Sequence, residues 1–256
     1  MSQVDYQIRF SPDSSDRRNQ EYFHFMRDGN EQKLTLQNYA EVYKIPLLYE
    51  QFCDKALYQS PETLAMLLAS QSIKSGFDLR SLVVLDIAAG SGLFGKSIAQ
   101  YGVKSIVGVD IIPEAAQAAH RDYPGVYENY YVEDLTAISP TAKKELANRR
   151  FNCLVCCSSL SCHFPIQGFI NSFNLIDNDG WIAFNVNTYV LENIKNPDSF
   201  EYKKAAEFGQ LYHHMVETEI LEVTHKHYYL HRLLTNGKAV DYVAIIARKR
   251  GNISQK

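Results

Sequence analysis

The stretch Leu82-Val83-Val84-Leu85-Asp86-Ile87-Ala88-Ala89-Gly90-Ser91-Gly92 decides the fold. Four apolar residues make a short buried strand, and an acid followed by a glycine turn stands at its end. In open α/β proteins a nucleotide sits outside that carboxyl end of the strand. The string Gly90-Ser91-Gly92-Leu93-Phe94-Gly95 also satisfies G-x-G-x-x-G, the fingerprint of dinucleotide-binding turns.

Asp86 separates the ligand classes that such a turn admits. A pyrophosphate is anionic, and its turn offers backbone N–H groups and a helix N-terminus after a wholly apolar strand. A carboxylate four residues before Gly90 opposes it. S-adenosylmethionine instead carries a sulfonium and an ammonium, and one unit charge about 4 Å from a carboxylate gains roughly 4 kcal/mol at an effective dielectric near 20. The glycines let the backbone pass beneath such a ligand without a Cβ in the way.

The next strands repeat the pattern. Ser105-Ile106-Val107-Gly108-Val109-Asp110 ends in an acid 24 positions after Asp86 (110 minus 86), near the one-βα-unit spacing of about 20 at which an acid reaches a ribose diol. A third strand, Tyr130-Tyr131-Val132, leads into Glu133-Asp134-Leu135, with Asp134 another 24 positions on (134 minus 110). Asp134 is placed to accept from an adenine amino group. Strand-end aspartates also cap helices and fix turns, but three in register favour one ligand.

With these residues in hand, Leu64 to Arg248 resembles the class I S-adenosylmethionine-dependent methyltransferases. Asp86 to Gly92 is similar to their first motif, with Ala88 where glycine is commoner. The resemblance implies ribose binding by Asp110, adenine binding by Asp134, and a fourth-strand segment at Phe151 to His163. It assigns Ala88, Gly90, Gly92, Ile111, Leu135 and Ser158 to the same cofactor site. Arg121 to Tyr127, and His231-Arg232 through Tyr242, resemble a bacterial methyltransferase-domain subgroup to which no substrate attaches. Fold likeness gives the cofactor more securely than the acceptor.

At 256 residues and 46% hydrophobic, the chain is long enough for one α/β core plus an N-terminal extension. The expected division is an extension and lid over 1–63 and a cofactor-binding domain over 64–256. Basic residues number 26 and acidic 29. A phosphate-tracking groove would need a basic excess, so nucleic acid is not the expected partner. No apolar run spans a bilayer and the N-terminus has no signal-peptide core, so a soluble cytoplasmic protein is expected. Cys153, Cys156, Cys157 and Cys162, with His163, invite a zinc reading. On a strand, however, Cys153 and Cys157 share one face and Cys156 takes the other. Reduced structural thiols are expected, and no metal.

From Leu82 onward, strand and helix alternate, which predicts a doubly wound, mostly parallel seven-stranded sheet covered on both faces. Strands are predicted at 82–87, 105–110, 129–132, 151–157 and 180–186. Helices fall at 92–101, 113–121, 140–148 and 166–176. A helix over Phe200 to Tyr212 precedes a C-terminal antiparallel hairpin, 220–233 and 239–248, turning at Asn236-Gly237. Ahead of the sheet, 1–20 reads as a mobile polar tail. Tyr22 to Met26 and Lys33 to Leu36 form a hairpin about Asp28-Gly29. Tyr39 to Leu57 is helical with a break at Pro46, and Ser60 caps a helix with Pro61 in its first turn.

The acceptor pocket should be roofed by segments after the fourth and fifth strands and by the extension. That nominates Ser158, Ser159, Ser161 and His163, then Asn185, Asn187, Thr188 and Tyr189. His163, with an unperturbed pKa of about 6.5, is the candidate general base for a nucleophile that must lose a proton. His225, His227, Tyr229 and His231 would share a solvated strand face. Tyr39, Tyr43 and Tyr49 are candidates for an aromatic lid over the sulfonium. The reading is methyl transfer to a small-molecule N or O nucleophile. A catalytically silent cofactor-binding scaffold and an NAD(P)-dependent oxidoreductase are the rivals, and a protein acceptor is a further variant.

Overall fold

A computed structural model describes residues 5–13, 20–161, 164–191 and 200–254. Its centre is a seven-stranded sheet made of β4 (Val83–Ile87), β5 (Ser105–Asp110), β6 (Asn129–Val132), β7 (Cys153–Cys156), β8 (Trp181–Asn187), β9 (Leu221–Leu233) and β10 (Ala239–Lys249). The spatial order is β6-β5-β4-β7-β8-β10-β9. β4 to β8 run parallel, whereas β10 pairs antiparallel with both β8 and β9. The order reverses between β4 and β7, so the crevice outside their carboxyl ends is the switch point where α/β sheets take ligands.

The central strands β4, β5, β7 and β8 are buried on both faces, and alternate residues serve two cores. Leu85, Val107, Leu154, Ile182, Phe184 and Ile245 pack with Leu146, Phe169, Phe173 and Phe208. These last four lie on α6 (Pro140–Asn148), α7 (Ile166–Asn174) and α8 (Phe200–Glu217). Val84, Ile106, Val155, Ala183 and Ile246 face the other way, against Leu64, Leu68, Phe94 and Ile98 of α3 (Ser60–Lys74) and α4 (Leu93–Ala99). The period of two along a strand sorts the cysteines as well: Cys153 enters the second core and Cys156 the first. The remaining crossover helix, α5 (Pro113–Asp122), follows β5 and starts with proline at its first turn.

The extension forms its own three-stranded sheet, β1 (Arg9–Phe10), β2 (Tyr22–Arg27) and β3 (Asn30–Thr35), in that order. β2 and β3 make the hairpin expected about Asp28-Gly29, both of which have positive φ. Then come α1 (Tyr39–Tyr43) and α2 (Leu48–Lys55). The helix breaks where Pro46 predicts, with Leu47 at φ 56°. Phe23 and Phe25 on one face of β2 pack with Leu36, Val42 and Phe52. Full burial of each phenylalanine stabilises by roughly 1.5–3 kcal/mol.

The start of the chain corrects the expectation of a mobile tail over 1–20. Tyr6 and Ile8 are buried in this small core, and Arg9 and Phe10 pair with His24 and Phe23. Two well-placed apolar side chains anchor a segment whose composition is otherwise polar. Residues 14–19 lie outside the described residues. Among the described residues, no helix is long and apolar enough to cross a membrane.

Candidate functional site

The turn after β4 is held open from three sides at Gly90. Its N–H donates to Asp110 Oδ2 at 2.9 Å, and its carbonyl accepts from the Tyr130 hydroxyl at 2.7 Å. A Cβ there would stand 2.8 Å from the Tyr43 hydroxyl oxygen. Gly90 also sits at φ +56°, so glycine is required by conformation and by space. Ala88 shares the left-handed region at φ 52°. Asp110 turns its other oxygen back to the Ile112 N–H at 3.0 Å. Its carboxylate therefore braces two turns at once.

Asp86 lies 1% exposed at the end of β4. Its Oδ2 accepts from the Tyr127 hydroxyl at 2.8 Å, while Oδ1 is buried with no hydrogen-bond partner. Burial and the Asp110 charge, opposed by the Tyr127 hydrogen bond, push its pKa up to about 7. Burial raises Asp110 too, against the backbone N–H groups that favour its ionised form. An orphaned, buried carboxylate oxygen is costly, and a cationic or N–H-bearing ligand relieves it.

These groups open into one cavity of about 310 Å³. Of the predicted cofactor residues, Tyr39, Tyr43, Tyr49, Asp86, Ala88, Gly90, Asp110, Ile111, Asp134, Leu135 and Ser158 line it. Gly92 does not. It caps α4 at φ 94°, and a Cβ there would stand 2.9 Å from the Tyr127 ring, so its glycine is needed for packing behind the turn. Asp134 uses Oδ1 to accept from the Thr136 N–H and hydroxyl, at 2.8 and 2.7 Å, which holds its carboxyl below the ordinary range. Tyr39, Tyr43 and Tyr49 pack on one another with centroids 5.3 to 6.0 Å apart, one pair stacked and two edge-to-face.

Behind the cavity runs a buried polar network that the sequence did not disclose. Ser60 is the first residue of α3, not its cap; the cap position is Gln59. The Ser60 hydroxyl lies 2.7 Å from both His231 Nδ1 and the Tyr229 hydroxyl. Asn185 Oδ1 accepts from the Ser158 N–H at 2.7 Å, which fixes its amide and aims Nδ2 at Ser60, Ser158 and Tyr229. Tyr58 donates to the Ser158 hydroxyl at 3.0 Å.

His231 departs from the solvated strand face expected for His225, His227, Tyr229 and His231. It is the extra residue of a bulge, since Val240 pairs with Arg232 and Asp241 with Leu230. A bulge leaves one residue unpaired and re-aims its neighbours. His231 and Arg232 are both buried and both line the cavity, whereas His225 and His227 stack in a row with Tyr229 on the strand. Arg232 is met by Glu21, which takes NH1 and NH2 at 2.8 and 2.6 Å and also accepts from the Thr235 N–H.

Of the residues nominated for the acceptor roof, Ser158 and Ser159 reach the cavity wall. Asn185 stands behind it, and Ser161 accepts from the Asn187 N–H at 2.7 Å, so both serve the loop. Asn187, Thr188 and Tyr189 are not on the lining. His163 and Cys162 lie outside the described residues. Two tyrosines of the stretch from Arg121 to Tyr131 hold the site: Tyr127 grips Asp86 and Tyr130 grips Gly90.

Comparison with known proteins agrees with this architecture. Residues 84–176 match a family model described as a methyltransferase domain. Among solved structures, a protein from Pyrococcus horikoshii described as a candidate RNA methyltransferase superposes with a TM-score of 0.52 at 15% identity, over 76% of this chain and 88% of that one. The plantazolicin methyltransferase BpumL, solved with S-adenosylhomocysteine and a desmethyl plantazolicin analogue, has a TM-score of 0.52 at 14% identity, over 82% and 95%. No curated protein sequence matches the chain.

Proposed function

We propose, from the match of residues 84–176 to a methyltransferase domain and from the fold, that the protein is an S-adenosylmethionine-dependent enzyme that methylates an N or O nucleophile of a small molecule. The single observation that carries this reading is the cavity itself. Strand-end acids stand at one wall, and residues of the extension and of β9 stand at the others.

The residues fit the donor in three ways. The buried, unpartnered Oδ1 of Asp86 calls for a cation or N–H donor, which the methionine end supplies. Asp110 faces the position expected for the ribose diol, and Asp134 with Leu135 that of the adenine. Bound there, S-adenosylmethionine supplies an electrophilic methyl on sulfur for in-line displacement. The chain's part is alignment of the nucleophile and exclusion of water. The extension contributes Leu36, just after β3, with Phe52 and Cys53 of α2 to the lining, which favours a covered pocket for a small acceptor over an open groove. His163, assigned from the sequence, takes the proton from nucleophiles that must lose one.

Calorimetric titration with S-adenosylmethionine and S-adenosylhomocysteine, and with NAD and NADP as controls, tests the reading. Micromolar binding of the adenosyl ligands alone supports it and opens an acceptor screen with labelled methyl groups. Binding of dinucleotides alone overturns it and moves the search to hydride transfer. Adenosyl binding without turnover across the screen favours a silent cofactor-binding protein.

A further inference from the structure

The resemblance assigned Ser158 to the cofactor, but its place in the sheet argues for the methyl acceptor. Asp86, Asp110 and Asp134 stand at the ends of β4, β5 and β6, which lie side by side on one side of the switch point. Ser158 stands two positions past the end of β7, on the other side. Its backbone is held in the left-handed region at φ 64°, unfavourable for a residue with a Cβ. Such strain gathers at functional sites.

The directions of the hydrogen bonds at its hydroxyl supply the second observation. Asn185 Oδ1 accepts from the Ser158 N–H at 2.7 Å, and its Nδ2 lies 3.1 Å from the Ser158 hydroxyl oxygen. An amide nitrogen only donates. Tyr58 donates to the same oxygen at 3.0 Å, and burial pushes its pKa well above the ordinary value, so it keeps its hydrogen. Neither neighbour can therefore take the hydrogen of Ser158. Among the described residues its remaining partner is Cys157 Sγ at 3.7 Å. Burial pushes that thiol up to about 12, so it is neutral and a weak acceptor. Ser158, Tyr58 and Cys157 are half-buried and line the cavity, with Asn185 behind them. The bonds from Tyr58 and Asn185 to this oxygen are partly buried, whereas the one from Asn185 to Ser60 is wholly buried.

We infer that the methyl acceptor attacks through an ionised oxygen, that of a phenol or enol, to which the Ser158 hydroxyl donates. This rests on the methyltransferase reading and adds the nucleophilic atom and the class of acceptor. Oxygen is chosen over nitrogen by its lone pairs. A neutral amine has one, and a hydrogen bond from Ser158 would leave none to attack the methyl. An ionised oxygen has three, so it accepts from Ser158 and still attacks in line. The acceptor hydroxyl gives its proton to water before attack. The O–C bond then forms as the C–S bond breaks, the electron pair of that bond goes to sulfur as a neutral thioether, and Ser158 keeps its hydrogen. Donation by Tyr58 and Asn185 polarises the serine O–H, which makes it a stronger, preorganised partner for a charged oxygen.

The test uses the full chain saturated with sinefungin, an analogue of the methyl donor with an ammonium in place of the sulfonium. The probes are 4-nitrophenol and 4-nitroaniline, alike in shape. The absorbance band of the phenolate reads ionisation of the bound phenol directly. Its midpoint should lie below that of the free phenol. Ser158→Gly should raise the midpoint by about one to two pH units, the worth of one hydrogen bond to a charged oxygen. Glycine adopts this φ without strain, so the variant keeps the fold. The same comparison in a Tyr58→Phe background prevents the Tyr58 hydroxyl from taking over. Affinity for 4-nitroaniline should stay within twofold. A midpoint at or above that of the free phenol, no binding of 4-nitrophenol, or a midpoint that Ser158→Gly moves in neither background would overturn the proposal. So would an equal loss of affinity for both probes. If Ser158→Gly weakens sinefungin more than twofold, Ser158 serves the methyl donor and the inference fails. Failure of wild type to bind sinefungin and S-adenosylhomocysteine would condemn the methyltransferase reading separately.

Discussion

The Tyr127 hydroxyl donates to Asp86 Oδ2 at 2.8 Å, and the opposite oxygen of the same carboxyl has no partner. One half of the acid is thereby fixed in place and the other is buried without a hydrogen bond. Burial and the neighbouring Asp110 charge push the pKa of Asp86 up to about 7, so the ligand-free site holds a proton near neutrality.

Affinity for S-adenosylmethionine should therefore depend on pH. A cationic ligand requires the ionised carboxylate, so binding expels a proton below about pH 7. Affinity should fall roughly tenfold per pH unit on going lower, and level off above. Titration in buffers of different ionisation enthalpy would register the released proton, and Asp86→Asn should flatten the profile while weakening binding. The same group sets a stability slope. Because its folded pKa is raised, the folded state keeps the proton after the unfolded chain has lost it. Its contribution is full below about pH 4 and is lost as pH rises through about 7. Asp86→Asn should remove that loss from denaturant curves of the ligand-free protein.

Asp110 carries two loads. It accepts from the Gly90 and Ile112 backbone N–H groups and faces the expected ribose. Asp110→Ala should weaken S-adenosylhomocysteine binding by about 1.5–3 kcal/mol through loss of charge-assisted bonds. It should also strand the Gly90 N–H, so protection of that amide in hydrogen exchange should drop. Affinity unchanged within error would show that the ribose lies elsewhere.

The parallel core was legible because each strand announces itself twice, by an apolar run and by the acid or turn that stops it. Asp86, Asp110 and Asp134 mark three carboxyl ends in register, and Pro46 and Pro113 mark helix boundaries. Less legible were side chains whose partners are distant in sequence. Tyr127 lies in the connector ahead of β6 and Tyr130 on that edge strand, and no local pattern tells that they reach back across β5 to the turn. The solvated face expected for His231 is covered at its end, where Ser60 of α3 meets both Tyr229 and His231, and strand alternation does not tell which stretch of a face another element covers. Ser60 looked like a cap because serine before proline commonly is one; its hydroxyl goes instead to β9.

Glu21 and Arg232 join the extension to β9 through a pair almost wholly out of solvent. Glu21→Ala should destabilise by roughly 3–5 kcal/mol, because the guanidinium is left buried without a counter-charge. Replacing both partners, as in Glu21→Leu with Arg232→Met, should recover much of that loss. Urea unfolding of the single and double variants measures it. If the single substitution costs under about 1 kcal/mol, the level of an exposed pair, the pair is open to water and the seal on that wall is absent.

Gly108 shows how closely the tyrosines are packed against the turn. A Cβ on Gly108 would stand 2.6 Å from Tyr130 Cδ2 and 3.0 Å from Tyr127 Cε1. Neither contact involves the flexible end of a side chain, so the rings must move. Because Tyr130 holds the Gly90 carbonyl and Tyr127 holds Asp86, their displacement loosens both fixed points of the turn. Gly108→Ala should cost about 1–3 kcal/mol of stability by overpacking. It should also weaken S-adenosylhomocysteine binding, although residue 108 is in mid-strand and off the cavity lining. Gly102→Ala provides the contrast. It meets nothing within 4 Å but sits at φ +87°, so it should lower stability through backbone strain and leave ligand affinity unchanged. Calorimetry on both variants separates the outcomes, and equal affinity for the two would mean that the tyrosines do not set the turn.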